Sequence, residues 1–365
     1  MSTSATIPVL VGTYTPTHGE GKGVLVIELD TEQGILRQVS ATGGIANPSF
    51  VTVAPDHRFA YAVSEVMDQG GSPTGGLTAL ALGERSGEEA PRITRAVETG
   101  SRGPCHVAVT PDGRHAVVAN YAGGAVSVIE LGGEAGIVGR TDLVQHEGHG
   151  VDPDRQDAAH AHSSTFDPSG DRVLVCDLGL DKVFVYQVDG HGKLTELRRL
   201  GIPTPAGTGP RHLDFDPDGS RLFVAGELAS TLLLYAYDPA TGEAEHLQTA
   251  TTLAGVKPAE RNYPADIHVH PTGRFVYVSN RGHDSLAIFG VDDAAGRVTP
   301  LGHQPTGGQW PRNFAIDPSG HLLLAANERS NTIVPFWIDG ADGSLRQAAG
   351  PLEIGSPVCL RWLVA

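Results

Sequence analysis

The stretch that decides the fold is GPCHVAVTPDGRHAVVANY, residues 103–121. Apolar and polar residues alternate on both sides of Pro111-Asp112-Gly113, and an alternation with a period of two predicts a β-strand. Proline presets φ for a type I turn, and glycine accepts the positive φ that follows. The stretch therefore predicts a strand, a tight turn and a second strand.

The same unit occurs six times along the chain. Its copies are residues 47–65, 103–121, 161–178, 209–227, 264–281 and 310–328, and their turn prolines are Pro55, Pro111, Pro168, Pro217, Pro271 and Pro318. The turn prolines lie 47 to 57 residues apart, which fits four-stranded propeller blades that carry loops. Asp56-His57 lacks the glycine of the other turns, so the first copy is the weakest match.

The two ends of the chain supply a seventh unit. Residues 9–30 match the second and third strands of a unit, whereas residues 355–365 match only its first strand. An open row of blades would leave exposed sheet edges at both ends, and a blade shared by the two ends removes them. We therefore predict an all-β, seven-bladed β-propeller that forms a single domain over residues 1–365. Its last blade is closed by the N-terminal strands pairing with the C-terminal strand.

Composition and charge restrict the possible partners. The 365 residues include 47 glycines and 25 prolines, too many for a helical protein, and carry a net charge of −16. Nucleic acids and anionic membranes require a basic surface, so we expect neither as a partner and favour a small molecule. The first residues lack a basic leader, and no run of eighteen apolar residues occurs. The three cysteines, Cys105, Cys176 and Cys359, are far apart and odd in number, which predicts a reducing cytoplasm without a disulfide framework.

Hairpin geometry predicts the location of a site. In each unit the residue six before the turn proline lies beside those nine or ten after it, so these residues should ring one mouth of the channel. The residues six positions before the turn prolines are Ser49, Cys105, His162, Arg211, Ala265 and Arg312. The residues five positions before them are Phe50, His106, Ser163, His212, Asp266 and Asn313. The residues ten positions after them are Glu65, Tyr121, Leu178, Glu227, Arg281 and Glu328, and Tyr14 is the equivalent in the shared unit. The strand interiors repeat, but the rim residues differ between units, which indicates a site.

Each rim residue taken singly also has a plainer interpretation. An isolated Arg211 is more typical of a surface ion pair, and Glu227 alone is typical of a solvated strand end. His160 and His162 could form a metal pair, but no further ligands lie near them in the sequence. Residues 146–162 contain four histidines among glycine and aspartate, which predicts a polar loop between blades that could fold over the mouth. The convergence of the rim residues is what favours a function.

The motifs at this rim resemble those of the seven-bladed propeller lactonase family, which includes propeller-type 6-phosphogluconolactonases and fungal carboxy-cis,cis-muconate cyclising enzymes. The matching motifs are VGTYT, NPSFVTVAPD, GPCHVAVTPDGRHAVVANY, AHAHSSTFDPSG, GPRHLDFDPDG with GEL, VSNRGHDSLAIF and WPRNFAIDPSG. The resemblance spans essentially the whole chain. It implies that His162, Arg211, Glu227 and Arg281 are catalytic.

We predict hydrolysis of a sugar-acid lactone, with 6-phosphogluconolactone as the favoured substrate. Glu227 or His162 would activate a water, Arg211 or Arg281 would stabilise the oxyanion, and another arginine would hold the phosphate. The residues expected to bind substrate are His160, His106, His212, Arg312, Glu328 and Tyr121. The sequence contains no phosphate loop, dinucleotide fingerprint or nucleophile elbow, so no cofactor is expected.

Three alternatives stay open at this point. In a carboxymuconate cyclising enzyme the arginines would clamp a polycarboxylate, and His162 or Glu227 would protonate the intermediate. A non-catalytic binding platform would need exposed aromatic patches, whereas 6% of the residues are aromatic. A metal-dependent lactonase would hold an ion in the channel, and its candidate ligands are Glu65, Glu227, Glu328 and Asn120.

Overall fold

The computed structural model describes residues 6–16, 18–68, 71–83, 89–257, 261–292 and 295–363. Residues 1–5 and 364–365 of the predicted domain lie outside the described residues. Within the described ranges, one turn of 3-10 helix at Arg198–Leu200 accompanies the β-strands. The prediction of an all-β chain is therefore confirmed.

The strands are numbered in chain order. The first fifteen are β1 (Thr6–Thr13), β2 (Val24–Asp30), β3 (Leu36–Thr42), β4 (Val51–Val53), β5 (Phe59–Ser64), β6 (Gly76–Ala81), β7 (Arg92–Glu98), β8 (Pro104–Val109), β9 (His115–Asn120), β10 (Ala125–Leu131), β11 (Ile137–Gln145), β12 (Ala161–Phe166), β13 (Val173–Asp177), β14 (Lys182–Val188) and β15 (Leu194–Glu196). The others are β16 (Ile202–Pro203), β17 (Pro210–Phe215), β18 (Arg221–Gly226), β19 (Thr231–Tyr237), β20 (Ala244–Thr251), β21 (Tyr263–Val269), β22 (Phe275–Arg281), β23 (Ser285–Asp292), β24 (Arg297–Pro305), β25 (Pro311–Ile316), β26 (Leu322–Asn327), β27 (Thr332–Ile338), β28 (Leu345–Gln347), β29 (Leu352–Glu353) and β30 (Pro357–Trp362).

These strands form seven antiparallel sheets in the described part of the chain. Six sheets follow the chain in order, and each begins with the strand that precedes a turn proline: β4–β7, β8–β11, β12–β16, β17–β20, β21–β24 and β25–β29. The seventh joins β3, β2 and β1 to β30. The seven-bladed propeller predicted from the repeat is confirmed.

The ends of the chain meet in the seventh sheet. β1 pairs antiparallel with β30, with Val9 opposite Trp362 and Val11 opposite Leu360. Beyond the ladder, the backbone N–H of Leu363 donates to the carbonyl of Pro8 at 2.9 Å. Because this pairing covers the inner edge of β1, the ring of blades has no open edge at the junction of its two ends.

The blades pack face to face, which buries their middle strands on both sides. β5, β9 and β26 are buried along their whole length, whereas the outermost strand β7 is exposed at most positions. Between two blades, Phe223 and Leu234 pack against Val276 and Phe289. Each blade thus shares an apolar layer with both neighbours, and these layers fix the inner strands around the channel.

The turn between the first two strands requires a left-handed residue. Gly113 has a φ of 73°, and its N–H donates to the carbonyl of Thr110 at 2.8 Å. His57 takes the equivalent place with a φ of 55°, although this region is unfavourable for residues other than glycine. The first copy therefore keeps the turn despite its weaker sequence match.

Candidate active site

A repeated β-bulge in the innermost strands builds the site. In five blades the register between the first two strands shifts at the rim, because the first strand carries one extra residue. The bulges fall at Cys105, at His162, at residues 211–212, at residues 265–266 and at Arg312. A bulge breaks the alternation of a strand and re-aims its side chains. Successive residues therefore reach two different cavities of the channel.

The first cavity, which we call the rim pocket, has a volume of about 210 Å³. It is lined by Tyr14, Glu65, Cys105, Tyr121, Arg155, His162, Glu227, Arg281 and Arg312. The second, the channel cavity, has a volume of about 320 Å³, and its lining includes His106, Ser163, His212, Asp266 and Arg361. Most of the charged residues six before and ten after the turn prolines thus line the rim pocket, while four of the six residues five before line the channel cavity.

Three guanidinium groups converge on the carboxylate of Glu227. Nη2 of Arg155 donates to Oε1 at 2.6 Å, and Nη2 of Arg281 donates to Oε2 at 2.7 Å. Nε of Arg211 lies 2.9 Å from the same Oε2. The side chains of Arg211, Arg281 and Glu227 are 2%, 7% and 3% exposed, so two cations and the anion are held away from bulk water, whereas the side chain of Arg155 is 29% exposed. This excess of positive charge would be balanced by an anionic ligand.

The arginines keep Glu227 ionised. Burial raises the pKa of its carboxyl group, but Arg281, Arg211 and Arg155 outweigh this effect and lower the pKa to about 2. Burial and the charge of Arg281 lower the pKa of Arg211 to about 10, so this guanidinium also stays charged at neutral pH. A carboxylate with so low a pKa is a weak base. Of the two predicted bases, this favours His162.

His162 lies in the pocket as a neutral imidazole. It is 5% exposed, and burial together with the charge of Arg211 lowers its pKa well below the usual value. Nδ1 lies 3.9 Å from Sγ of Cys105, and the ring packs edge-on against Tyr121 with 5.3 Å between centroids. Nε2 has no hydrogen-bond partner among the described residues. A neutral imidazole with a free nitrogen beside a polar pocket can accept a proton from water.

The opposite wall of the pocket carries Tyr14, Glu65 and Arg312. The Tyr14 hydroxyl donates to Oε2 of Glu65 at 3.0 Å, and Nη2 of Arg312 lies 4.0 Å from the same oxygen. Glu328 lies behind this wall and does not line the pocket, and its Oε2 is buried without a hydrogen-bond partner in the part of the chain that the structure describes. This wall offers both donors and acceptors to a polar ligand.

Three histidines predicted to bind substrate lie outside the rim pocket. The ring of His160 stacks on Tyr121 with 4.5 Å between centroids, and its Nδ1 lies 3.0 Å from the Tyr121 carbonyl, so His160 backs the pocket wall. His106 and His212 line the channel cavity, because the bulge sends the residue five before the turn proline below the pocket. The structure thus places His160 behind the pocket wall and His106 and His212 in the channel cavity, and their part in substrate binding stays a prediction.

Arg155 is a pocket residue that the repeat did not indicate. It belongs to the His-rich loop, and besides Glu227 its Nη2 contacts the Tyr121 hydroxyl at 3.2 Å. The loop is held by the buried Gln156, whose amide accepts two backbone N–H groups at 3.1 Å and donates to the carbonyl of Leu178 at 2.8 Å. The sequence signal that could have indicated Arg155 is its position as a basic residue near the centre of residues 146–162, the loop that could fold over the mouth.

Below the pocket, Asp266 joins three blades. Its Oδ1 accepts a hydrogen bond from Nδ1 of His212 at 2.7 Å, and its Oδ2 accepts one from Nε2 of His268 at 3.1 Å. Nδ2 of Asn313 also donates to Oδ2, and Oδ1 of Asn313 accepts the backbone N–H of Leu360 at 2.7 Å. One buried carboxylate thus links β17, β21 and β25 and, through Asn313, the closing strand β30.

We expect Asp266→Ala to lower the free energy of unfolding by about 3–5 kcal/mol, because several buried donors lose their acceptor. Burial raises the pKa of Asp266, but His268 and His212 outweigh it and hold the pKa well below its usual value. A lowered folded-state pKa stabilises the protein above the unfolded-state pKa, and this stability is lost as the pH falls through the folded-state value. Urea unfolding at neutral and acidic pH tests both statements. Asp342→Ala, at an exposed turn, is the control, and equal midpoints for all variants would contradict the prediction.

The structure also bears on metals and membranes. Among the described residues, no group of three or more His, Cys, Asp or Glu side chains is arranged to hold a metal ion. No helix in the described ranges is both long and apolar enough to span a bilayer.

Comparisons with known proteins agree with this architecture. The family model described as lactonase, 7-bladed beta-propeller, matches residues 8–362. The chain is 31% identical to the 6-phosphogluconolactonase of Bacillus subtilis over 79% of this chain and 78% of that protein. It is also 31% identical to the 6-phosphogluconolactonase of Formosa agariphila, over 81% and 82% of the two chains. The periplasmic gluconolactonase PpgL of Pseudomonas aeruginosa has a similar structure, with a TM-score of 0.88, 30% identity and 99% of both chains covered. The chain therefore belongs to the seven-bladed β-propeller lactonase family and is a lactonase, a hydrolase of cyclic esters.

Proposed function

We propose that this protein hydrolyses the lactone of a phosphorylated six-carbon sugar acid, with 6-phosphogluconolactone as its substrate. The observation that carries the proposal is the rim pocket, in which the neutral His162 lies beside the guanidinium groups gathered around Glu227. The relatives from B. subtilis and F. agariphila are named for the phosphorylated lactone, and the P. aeruginosa neighbour for gluconolactone. The relatives thus differ in whether the lactone in their names carries a phosphate, and a comparison of phosphorylated with unphosphorylated lactone tests phosphate recognition directly.

The charge of the pocket supports an anionic substrate. Arg155, Arg281 and Arg312 line it, with Arg211 directly behind, against the two carboxylates of Glu65 and Glu227. The chain as a whole carries a net charge of −16, so this positive region contrasts with the rest of the molecule. Local fields of this kind attract and orient charged ligands, and guanidinium groups match the geometry of phosphate oxygens.

In the first step His162 acts as the general base. Its Nε2 takes a proton from a water molecule, and the water oxygen forms a bond to the lactone carbonyl carbon. The carbonyl oxygen becomes an oxyanion. Arg281 is suited to stabilise it, because its Nε and Nη2 are held by Tyr263 and Glu227, whereas its Nη1 makes no hydrogen bond to a described residue. Glu227 and Arg211 position this guanidinium.

In the second step the tetrahedral intermediate collapses. The bond between the carbonyl carbon and the ring oxygen breaks, and the imidazolium of His162 returns its proton to the ring oxygen, which becomes a hydroxyl group. The new carboxylic acid loses a proton to solvent, so each turnover consumes one water and releases one proton. Tyr14, Glu65 and Arg312 on the opposite wall provide hydrogen bonds for the hydroxyl groups of the sugar.

Lactone hydrolysis is tested by following the conversion of freshly generated 6-phosphogluconolactone by 31P NMR, with the spontaneous rate subtracted. We expect an accelerated formation of 6-phosphogluconate. Glucono-δ-lactone contains no phosphorus, so its opening is followed by the release of acid, and we expect its turnover to be slower. Carboxy-cis,cis-muconate serves as the competing substrate. Its cyclisation without any acceleration of lactone opening would overturn the proposal in favour of the cyclising enzyme.

The pH dependence of kcat/KM should carry the signature of His162. Burial and the charges of Arg211 and Arg312 lower its pKa well below the usual value of about 6.5. The base is active when neutral, so activity should persist as the pH falls below that value and decline only through the lowered pKa. Arg312→Gln removes one of the positive charges and should shift this acidic limb to higher pH. An acidic limb at or above the usual histidine pKa in the wild type would contradict the assignment.

The cytoplasmic location inferred from the cysteines remains a prediction. Cys105, Cys176 and Cys359 are all free and buried, which is compatible with a reducing compartment. One structural neighbour is described as periplasmic. Fractionation of cells that produce the full-length protein from its own gene would decide the compartment.

A further inference from the structure

One bulky side chain at the mouth occupies a position where four other units have a small residue. In five units the residue before the proline that opens the innermost strand has a left-handed backbone. These residues and their φ values are Asn47 (44°), Gly103 (60°), Gly209 (59°), Trp310 (63°) and Ser356 (41°). Glycine and asparagine tolerate this region, but it is unfavourable for a bulky side chain. The scaffold therefore accepts a small residue here, and tryptophan is present in spite of the backbone.

The strained conformation of Trp310 is held in place. Its N–H donates to Oδ1 of Asp284 at 2.8 Å, and Asp284 itself has a φ of 54°. Residues kept in unfavourable backbone regions cluster at ligand sites, where the surrounding structure enforces them. The side chain of Trp310 is thus kept at a backbone position that favours a small residue, as is typical of residues at ligand sites.

The indole ring of Trp310 forms an aromatic wall beside two guanidinium groups. On the pocket side, the guanidinium carbon of Arg281 lies 5.5 Å from the ring centroid. The guanidinium carbon of Arg329 lies only 3.5 Å from the same centroid. Tyr263 extends this wall, with 6.1 Å between the ring centroids. Trp310 therefore connects the arginine cluster of the pocket to a second arginine outside it.

Arg329 is an arginine of the mouth that stays available for a ligand outside the rim pocket. The three arginines around Glu227 are already engaged, and Arg312 faces Glu65 across 4.0 Å. Arg261, also at the mouth, forms an ion pair at 2.9 Å with a carboxylate of the His-rich loop. Arg329 is exposed and forms no ion pair with a described residue. Stacking on the indole holds its plane, which leaves the N–H groups at its edge available for an anion.

We infer that Trp310 and Arg329 form an outer anion subsite that binds the phosphate of the substrate while the lactone carbonyl lies in the rim pocket. This inference rests on the proposed function. In this lactone the carbonyl carbon C1 and the carbon C5, which bears the phosphorylated CH2 group, are both bonded to the ring oxygen. The phosphate arm therefore starts next to the reacting ester, and it would extend out of the pocket along Trp310 to the edge of Arg329. The subsite would thus select phosphorylated over unphosphorylated lactones.

The ratio of kcat/KM for 6-phosphogluconolactone to that for glucono-δ-lactone tests the subsite. Arg329→Ala should lower this ratio by about 10- to 100-fold, since a charge-assisted contact to phosphate is lost. Turnover of the unphosphorylated lactone should change little. Arg297→Ala, at an exposed arginine whose Nε lies 3.9 Å from the carboxylate of Asp292, is the matched control and should leave the ratio unchanged. Inorganic phosphate should also inhibit Arg329→Ala more weakly than the wild type.

Trp310→Gly separates function from folding, because glycine is the native residue at this place in two other units. We expect a thermal midpoint within a few degrees of the wild type, since relief of backbone strain offsets the lost packing, together with the same loss of phosphate preference. If the wild type accelerates neither lactone, the proposed function fails and the phosphate assignment with it. If the wild type prefers the phosphorylated lactone and both variants keep its ratio, the subsite alone is wrong.

Discussion

Replacing His162 with asparagine is expected to lower kcat for lactone hydrolysis by about 100- to 10,000-fold, the range that a positioned general base contributes. Asparagine keeps a polar side chain of similar reach but cannot accept a proton at neutral pH. Since Nε2 of His162 has no hydrogen-bond partner in the described part of the chain, the loss should come from chemistry rather than from a broken contact. KM should change by less than about threefold, because substrate binding depends on the arginines.

His160→Asn is the matched control for this experiment. The two histidines share one sequence motif, but His160 stacks on the outer side of Tyr121 and does not line the rim pocket. We expect its replacement to reduce kcat by less than about tenfold, through a small displacement of the Tyr121 ring. Initial rates corrected for spontaneous hydrolysis and thermal melting curves of both variants provide the measurement. Equal losses of kcat in the two variants would show that His162 is not the base.

The residues at the rim of the propeller could be predicted from the sequence, because their positions follow from the number of residues between them and the turn proline of their unit. A turn proline fixes the start of each hairpin, so spacing alone assigns His162, Glu227 and Arg281 to one end of the channel. The same counting could not show that the inner strands bulge, since counting from the turn proline assumes that every residue of the first strand is paired with one residue of the second. For this reason counting assigns His106 and His212 to the pocket, although they lie below it.

The sequence repeat also could not predict the contacts that a loop residue makes. Arg155 reaches Glu227 from the His-rich loop, where it has no counterpart in the other units and where histidines drew attention instead. One of those histidines, His146, is buried between Asp177 and Tyr186 at 2.6 and 2.7 Å and anchors the loop. Sequence spacing predicts the positions of residues on regular strands. The position of a loop residue depends instead on hydrogen bonds with partners far away in the sequence.

Replacing Glu227 with glutamine should affect both activity and stability. The substitution keeps the shape of the side chain but removes the negative charge at the centre of Arg155, Arg211 and Arg281. Breaking a buried ion pair by removing one partner costs about 3–5 kcal/mol of unfolding free energy, because the remaining charges stay buried without compensation. The guanidinium of Arg281 also loses its anchor, so we expect kcat/KM to fall by about 100-fold or more.

Anions provide the sharpest test of this explanation of Glu227. If the loss of stability in Glu227→Gln comes from uncompensated arginine charges, inorganic phosphate should enter the cluster and raise the thermal midpoint of this variant more than that of the wild type. Glu65→Gln is the matched control. It lies in the same pocket, but its carboxylate has a single hydrogen bond from Tyr14 and a cation at 4.0 Å, so its midpoint and its response to phosphate should stay near those of the wild type. A Glu227→Gln variant with wild-type stability and no response to phosphate would mean that the three arginines do not depend on this carboxylate, and the positioning role of Glu227 would have to be abandoned.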